Sequence, residues 1–440
     1  MTGHYRPLPS PFVPDPLARI TRTTHSKEPT VDQQFLDDFD TMSSFGQTPA
    51  GGVDREAMTG PDVEQRNWLG AWMRERGFTV TTDRIGNQFG LVEWTPGAPY
   101  VLVGSHMDSQ PLGGKFDGAY GVLAGAHAVW RIQQQVEKSG RTPKFNLGVV
   151  NWFNEEGSRF QPSMMGSSVF TGKMDADTAL KVTDSAGVSV HEALEAGGYL
   201  GSGEGPTPAA YAEIHIEQGR ILDEEGINIG LVDATWAAQK YHFIVHGEQA
   251  HTGSTVIADR QDALLGAAHL VVTAREIADE FGIHTSVGQL NVLPNSPVVV
   301  PREVRLHMDM RSPDSDLVKR ADEKLHQKIA QIEELARVKI EKDTAHSWDL
   351  LPYDERGVEL ARGVAEEMGL SHRNIMTVAG HDSTNMKDMV PTVMLFVPSV
   401  DGISHNEGEY TKPDDMVAGV TMLTGVLDKL IEGALDAPSL

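Results

Sequence analysis

The chain has 440 residues, of which 37 are Lys or Arg and 62 are Asp or Glu, so its formal net charge is −25 at pH 7. This acidic balance argues against a nucleic-acid partner or an anionic membrane surface, because both attract basic side chains. The chain contains no cysteine, which excludes disulfides, thiolate metal sites and cysteine nucleophiles.

The proline-rich residues 1–30 predict an extended arm. They show no basic start followed by an apolar run, so we expect no secretory signal. No run of about eighteen apolar residues occurs, so we expect no membrane span and a cytoplasmic location. The length predicts two or three domains.

An alternation of helices and strands, typical of an α/β fold, follows the arm. Polar residues stand at the carboxyl end of several strands, where open α/β sheets form their sites. We predict, in order, a helix over 54–77, strands over 78–80, 90–94 and 100–104, a helix over 118–135, and strands over 145–153, 212–216 and 391–397.

Residues 233–346 show a different order of predicted strands and helices. Their pattern predicts the order β-α-β-β-α-β, which is the split βαβ arrangement. We interpret this segment as an inserted domain, with residues 1–232 and 347–440 forming one discontinuous catalytic domain. The predicted elements are strands over 240–245, 285–292, 303–310 and 338–343, and helices over 258–281 and 315–336.

Metal-binding side chains follow four of the strands. Two cations held about 3.5–4 Å apart need ligands on each and one carboxylate between them, and imidazole favours Zn, Mn, Co or Ni over Mg and Ca. Glu155 and Glu156 are adjacent, so both reach one site only where the strand breaks, as Gly157 allows. One of them would bind metal, and the other would act as a base. The further candidate ligands are His106, Asp117, His215 and His405.

Six short motifs occur in order along the chain: residues 104–109 (GSHMDS), 113–118 (GGKFDG), 154–160 (NEEGSRF), 215–219 (HIEQG), 380–382 (GHD) and 402–405 (GISH). Together they resemble the dinuclear-zinc amidohydrolases of the N-carbamoyl-L-amino-acid hydrolase, β-ureidopropionase and allantoate amidohydrolase family. The resemblance covers nearly the whole chain after about residue 30. It implies an α/β, zinc-peptidase-like catalytic domain with an inserted ferredoxin-like lid and dimerisation domain, and hence a homodimer.

The resemblance also implies two divalent metal ions, zinc first, with manganese, cobalt or nickel as alternatives. His106, Asp117 and His215 would hold one ion. Asp117, Glu156 and His405 would hold the other, so that Asp117 bridges them. The implied reaction is hydrolysis of a C–N bond in a small molecule, an N-carbamoyl amino acid or a related ureido compound.

Further roles follow from the same resemblance. Glu155 would be the general base, and Asp108 would orient His106. Gln218 and Arg311 would contact the substrate, the arginine through a bidentate contact with its carboxylate. His251 would stabilise the oxyanion from the partner subunit. The residues concerned are Asp108, Glu155, Gln218, His251 and Arg311.

One position departs from the family pattern. The family usually has Asn before Val-Val-Pro, as a second contact to the substrate carboxylate, where this chain has Val298. Valine cannot donate a hydrogen bond. We therefore expect a substrate that is amide-like or less polar at that end, unless Asn291 or Asn295 compensates.

Other interpretations stay open. An N-acyl amino acid or peptide hydrolase of the same superfamily is the nearest rival, although peptidases usually have a carboxylate where this chain has His215. A non-catalytic ligand-binding homologue is the other, although it would be expected to lose Glu155. Structural roles are the alternative for Gln218, His251 and Arg311, and we interpret His381 and Asp382 as structural.

Overall fold

The structure is a computed structural model that describes residues 30–436. The arm predicted over residues 1–30 lies, except for Thr30, outside the described residues. The described strands are β1 (Thr79–Thr82), β2 (Gln88–Val92), β3 (Tyr100–His106), β4 (Asn146–Trp152), β5 (Pro208–Ile216), β6 (Ile229–Thr235), β7 (Ala237–His246), β8 (Ala250–His251), β9 (His284–Leu293), β10 (Val299–Val300), β11 (Glu303–Ser312), β12 (Lys339–Trp348), β13 (Leu351–Pro352), β14 (His372–Thr377) and β15 (Thr392–Val397).

The α-helices of the same residues confirm the predicted α/β fold class. They are α1 (Val31–Ser43), α2 (Gly60–Glu75), α3 (Ala119–Ser139), α4 (Met165–Phe170), α5 (Ala176–Leu180), α6 (Val190–Gly197), α7 (Ile221–Glu225), α8 (Ala263–Phe281), α9 (Ser315–Ala336), α10 (Glu355–Met368), α11 (Asp382–Met386) and α12 (Pro413–Ile431). None of them is long and apolar enough to cross a membrane.

A nine-stranded sheet forms the larger part of the fold. Its order is β1-β2-β4-β3-β5-β15-β6-β13, with β14 also paired to β6. The central strands β4, β3, β5 and β15 are parallel to one another, so their carboxyl ends meet at one edge. Successive side chains point to opposite faces: Val101 and Val103 pack into a core with α3 and α12, whereas Leu102 packs on the other face with Met386 of α11.

A four-stranded sheet of order β12-β7-β11-β9 stands apart from the larger one. All its neighbouring strands are antiparallel. Its hydrophobic core joins inward side chains of β7 and β11, such as Phe243 and Leu306, to α8 and α9. The small ladder of β8 with β10 adjoins this sheet and pairs His251 with Val299.

Two predicted helices begin later than expected, and each start has a local cause. The helix predicted from residue 54 begins at Gly60, with a proline in its first turn. Backbone N–H groups of the first turn have no partner within the helix, so proline, which has no N–H, is tolerated there. The helix predicted from residue 258 begins at Ala263, because the Asp262 carboxylate accepts from the amides of Leu264 and Leu265 and so caps it.

Candidate metal centre

The carboxyl ends of the parallel strands bring the predicted ligands together. His106 ends β3, and His215 is the penultimate residue of β5. Glu156 follows β4, and His405 follows β15. These four side chains surround Asp117, which lies in the loop between β3 and α3.

Asp117 faces ligand groups on both sides. Its Oδ1 lies 3.0 Å from His215 Nε2 and 3.5 Å from His106 Nε2. Its Oδ2 lies 3.2 Å from His405 Nε2, which is itself 3.4 Å from Glu156 Oε2. Two groups of candidate metal ligands therefore share the Asp117 carboxylate: His106 and His215 on one side, and Glu156 and His405 on the other. In each group the possible ligand atoms lie within 4.8 Å of one another.

Local backbone geometry sets this arrangement. Gly118 has φ +62°, and a Cβ there would lie 2.3 Å from His106 Nε2, so glycine keeps space for the imidazole. After β4, Asn154 and Gly157 adopt positive φ, which breaks the strand. The break turns both Glu155 and Glu156 towards the site, as the sequence predicts.

Asp108 contacts His106, the residue that it is predicted to orient, mainly through its backbone oxygen. The Nδ1 atom of His106 lies 3.0 Å from the backbone oxygen of Asp108 but 3.7 Å from its carboxylate. The carboxylate instead accepts hydrogen bonds from the amides of Glu155 and Glu156, each 3.2 Å long. Asp108 thus holds the strand break through its side chain and contacts His106 through its main chain.

Buried carboxylates dominate the electrostatics of the site. Burial raises the pKa of Glu155 well above its usual value and also raises that of Glu156. Burial acts in the same direction on Asp117, but hydrogen bonds from the three histidines hold its pKa well below the usual range. His405 is half exposed; partial desolvation opposes its charge, yet Asp117 and Glu156 raise its pKa to about 10.

These donors fit divalent cations. The three carboxylates of Asp117, Glu155 and Glu156 lie together in a buried space where only a compensating positive charge makes their joint ionisation favourable. Imidazole and carboxylate are transition-metal ligands. Each group offers three protein ligands, which leaves a coordination position for water or substrate, as in catalytic metal sites.

Gln218 lies against the shared carboxylate. Its φ is +57°, and its Nε2 donates to Asp117 Oδ2 over 2.8 Å and to the Ser404 hydroxyl over 3.1 Å. Its Oε1 atom is buried and has no hydrogen-bond partner among residues 30–436. Gln218 therefore keeps an unused acceptor at the site.

His381 packs against the ligand shell. Its ring centroid lies 4.5 Å from that of His215, and its Nε2 lies 3.1 Å from the Thr377 hydroxyl. Burial lowers its pKa well below the usual value, so a neutral ring supports His215. His381 thus packs beside a candidate ligand but belongs to neither ligand group, and its structural role stays a prediction.

Arg311 reaches the larger sheet from the end of β11. Its Nε and Nη2 donate to the Asp309 carboxylate over 2.8 and 2.9 Å. Its Nη1 donates to the carbonyl oxygen of Val378, just after β14, over 2.7 Å. One N–H on each terminal nitrogen remains for a further acceptor.

His251 is exposed and lies outside the cluster around Asp117. Its Nδ1 accepts hydrogen bonds from the amides of Gly253 and Ser254 over 3.0 and 3.1 Å. The neutral ring therefore carries its proton on Nε2, which can donate outwards. Val298 lies beside it, because the Val298 carbonyl accepts from Thr252, and the Val298 side chain is 61% exposed.

Sequence reasoning missed two side chains that support the ligands. Gln110 donates to Glu156 Oε2 over 2.9 Å. Glu409 accepts from the backbone amide of Asp117 over 3.0 Å. Each follows a ligand motif by a few residues, but nothing in its own spacing points to the site.

The chain is similar to known amidohydrolases over most of its length. It is 58% identical over 414 residues to a Mycolicibacterium smegmatis protein described as a hydrolase, covering 92% of this chain and 94% of that protein. It is 36% identical over 387 residues to an N-carbamoyl-L-amino-acid amidohydrolase of Rhizobium meliloti, covering 87% and 92%.

A solved structure agrees with these relatives. An amidase of the hydantoinase/carbamoylase family from Burkholderia vietnamiensis has a TM-score of 0.85 at 35% identity, covering 93% of this chain and 98% of that one. Residues 102–429 match Peptidase family M20/M25/M40. The resemblance that the motifs predict is thus confirmed, and the chain belongs to this peptidase family.

Proposed function

We propose that the chain is a divalent-metal-dependent amidohydrolase that cleaves the C–N bond of an N-carbamoyl amino acid or a related ureido compound. One observation carries the proposal: Asp117 presents one oxygen to His106 and His215 and the other to His405. A carboxylate shared in this way suits two cations. The N-carbamoyl-L-amino-acid amidohydrolase of Rhizobium meliloti supports the substrate class.

The proposed ligands are His106, Asp117 and His215 for one ion, and Asp117, Glu156 and His405 for the other. Three imidazoles favour zinc, with manganese, cobalt or nickel as alternatives. When bound, such ions lower the pKa of a coordinated water and polarise a carbonyl oxygen. The remaining steps belong to side chains of this chain.

Glu155 is the proposed general base. Its Oε2 lies 3.5 Å from His106 Nε2, and the side chain is only 10% exposed. It takes a proton from the attacking water, whose oxygen bonds to the carbamoyl carbon. It then delivers that proton to the leaving nitrogen as the C–N bond breaks, because an unprotonated amide nitrogen leaves poorly.

Two residues orient the substrate in this proposal. The unpaired Oε1 of Gln218 accepts from a ureido N–H. Arg311 offers its remaining N–H groups to the substrate carboxylate. Asp309 holds the guanidinium by two bonds, so its plane is fixed before substrate arrives, which lowers the entropy lost on binding.

We also propose that residues 233–346 form a ferredoxin-like lid and dimerisation domain inserted between residues 1–232 and 347–440. The strand order β12-β7-β11-β9 and a separate hydrophobic core support this division. The Arg311–Val378 hydrogen bond joins the proposed lid to the catalytic domain. Closure there would exclude water from the site.

Exposed apolar side chains of the proposed lid support a homodimer. Six apolar side chains on α8 and β9 are each more than a third exposed, and β9 is an edge strand. Apolar side chains beside an open strand edge favour pairing with another chain. They are Leu264, Leu265, Val271, Val272, Leu290 and Leu293. Light scattering tests this point, and the expected mass is twice the 47.9 kDa of one chain.

The activity is tested with a panel of N-carbamoyl amino acids, allantoate and N-acetyl amino acids. Purified protein is assayed with Zn²⁺ or Mn²⁺, after chelation, and after the metal is restored. We expect turnover of a carbamoyl or ureido substrate, loss on chelation and recovery with metal. Full activity after chelation would contradict the mechanism, and turnover of the N-acetyl compounds alone would contradict the substrate class.

A further inference from the structure

Glu409 joins two loops that carry proposed metal ligands. It lies in the loop between β15 and α12, four residues after His405, and is 4% exposed. Its Oε1 accepts hydrogen bonds from the consecutive backbone amides of Phe116 and Asp117 over 2.9 and 3.0 Å. One carboxylate oxygen thus fixes the backbone at Asp117 from 292 residues away along the chain.

The other oxygen of Glu409 reaches the Asp117 side chain through Ser404. The Ser404 hydroxyl lies 2.9 Å from Glu409 Oε2 and 3.2 Å from Asp117 Oδ2. Ser404 directly precedes His405. Glu409 therefore contacts the main chain of Asp117 directly and the Asp117 side chain through the Ser404 hydroxyl.

The glycine-rich loop makes room for this contact. A Cβ at Gly114 would lie 2.1 Å from the Glu409 carboxylate, so any larger residue would displace it. At Gly114 the backbone of this loop closely approaches the Glu409 carboxylate. The loop, Ser404 and Glu409 form one connected unit around Asp117.

We propose that Glu409 is a positioning residue that sets the affinity of the centre for divalent metal by fixing Asp117 between its two ligand groups. The inference rests on the proposed function, since it assumes that Asp117 binds metal. Groups that orient metal ligands by hydrogen bonds change metal affinity by about 10- to 100-fold when they are removed. Side-chain length is the decisive property, because the carboxylate must span two amides and one hydroxyl.

Three substitutions of Glu409 distinguish the effect of side-chain length from the effect of side-chain charge. Glu409→Gln keeps the length: its amide oxygen can accept from both backbone amides, and its NH2 can donate to Ser404. Glu409→Asp keeps the charge but is one methylene too short, and Glu409→Ala removes both contacts. Divalent-metal affinity is measured by competition with a chromogenic chelator for Zn²⁺ or Mn²⁺, together with kcat and KM at saturating metal.

We expect the Gln variant to bind metal within about threefold of wild type, and the Asp and Ala variants to bind about 10- to 100-fold more weakly. Saturating metal should restore much of kcat to the Asp and Ala variants. If the Ala variant does not fold, the Gln and Asp variants decide between length and charge. Unchanged affinity in the Asp variant, or weak binding in the Gln variant, would overturn the inference.

Asp184→Ala is the matched control. The Oδ1 atom of Asp184 also accepts from two backbone amides, those of Ala186 and Val188, in a loop outside the metal cluster. This variant should lose stability but keep wild-type metal affinity. Wild-type protein that takes up no metal would overturn the proposed function as well, whereas two tightly bound ions in both wild type and Glu409→Ala would overturn this inference alone.

Discussion

His251 and Arg311 lie towards opposite ends of the four-stranded sheet. Arg311 pairs with Ala238 at the end of β11 nearest the larger sheet, whereas His251 follows the other end of β7, beyond the pair of His246 with Glu303. The eight residue steps of strand between positions 303 and 311 span about 27 Å. Arg311 is the proposed substrate contact of its own chain, where it donates to Val378, so we expect His251, at the other end of the sheet, to act in the site of a partner chain.

Mixed dimers test this arrangement. Glu155→Gln and His251→Ala subunits should each be nearly inactive as homodimers. In a dimer of one with the other, one site combines an intact Glu155 with an intact His251 from the partner subunit, and the second site lacks both. We expect an equal mixture, after dissociation and reassociation, to regain about a quarter of wild-type activity, because half of its dimers are mixed.

The same subunits mixed without dissociation are the control and should stay inactive. Absence of any recovery in verified mixed dimers would show that His251 acts within its own chain or does not act in catalysis. Co-purification with two different affinity tags isolates the mixed dimers, which should then have about half of wild-type activity.

Substitutions of the adjacent residues Glu155 and Glu156 should give different defects. Glu155→Gln removes the proposed base, so we expect kcat to fall by about 10²- to 10⁴-fold while metal content stays at the wild-type level. Glu156→Gln removes a proposed ligand and should lower both kcat and the number of bound ions. Metal content by atomic absorption, measured beside kcat, separates the two. Loss of metal in Glu155→Gln, with full occupancy in Glu156→Gln, would reverse the assignment.

The strand-end ligands were accessible to sequence reasoning because an α/β sheet fixes where its strands end. His106 follows, and His215 lies in, a short apolar run that predicts a strand, and parallel pairing brings the carboxyl ends of the two strands together. Helix α9 was predicted at its observed bounds, since Asp314 caps it and its apolar spacing is regular. The α/β class and the predicted ligand cluster follow from such local patterns.

Most of what sequence reasoning missed at the site depends on contacts between distant segments. Glu409 lies 292 residues from Asp117, and no local pattern indicates that their loops meet. The family resemblance implies that Asp108 orients His106, but it does not indicate that the Asp108 carboxylate accepts from the amides of Glu155 and Glu156 after β4. Helix α12 was also missed, although Pro413 marks its first turn.

Gly118→Ala should remove metal binding and leave the fold intact. The new Cβ would lie 2.3 Å from His106 Nε2, and the φ of +62° is strained for any residue with a side chain. His106 would have to move away from Asp117. We expect wild-type circular dichroism, a lower melting temperature and loss of bound metal.

Gly140→Ala is the control for backbone strain alone. Gly140 also has positive φ, but a Cβ there would meet nothing within 4 Å. This variant should lose about 1 kcal/mol of stability and keep its metal. Equal metal content in both alanine variants would show that His106 tolerates displacement and is not a required ligand.

Val298→Asn should improve recognition of a substrate α-carboxylate. Val298 is exposed beside His251, so it would enter the same site as that histidine, and an asparagine amide could donate where valine cannot. A hydrogen bond to a charged group contributes about 1.5–3 kcal/mol, so we expect KM for N-carbamoyl amino acids to fall at least about tenfold with kcat unchanged. The corresponding N-carbamoyl amino acid amides, which lack the carboxylate charge, should show no such gain.

Arg311→Lys should act in the opposite direction and raise KM for the carboxylates, because lysine cannot make the bidentate contact. A Val298→Asn enzyme with unchanged KM for both substrate types would mean that position 298 does not contact the substrate.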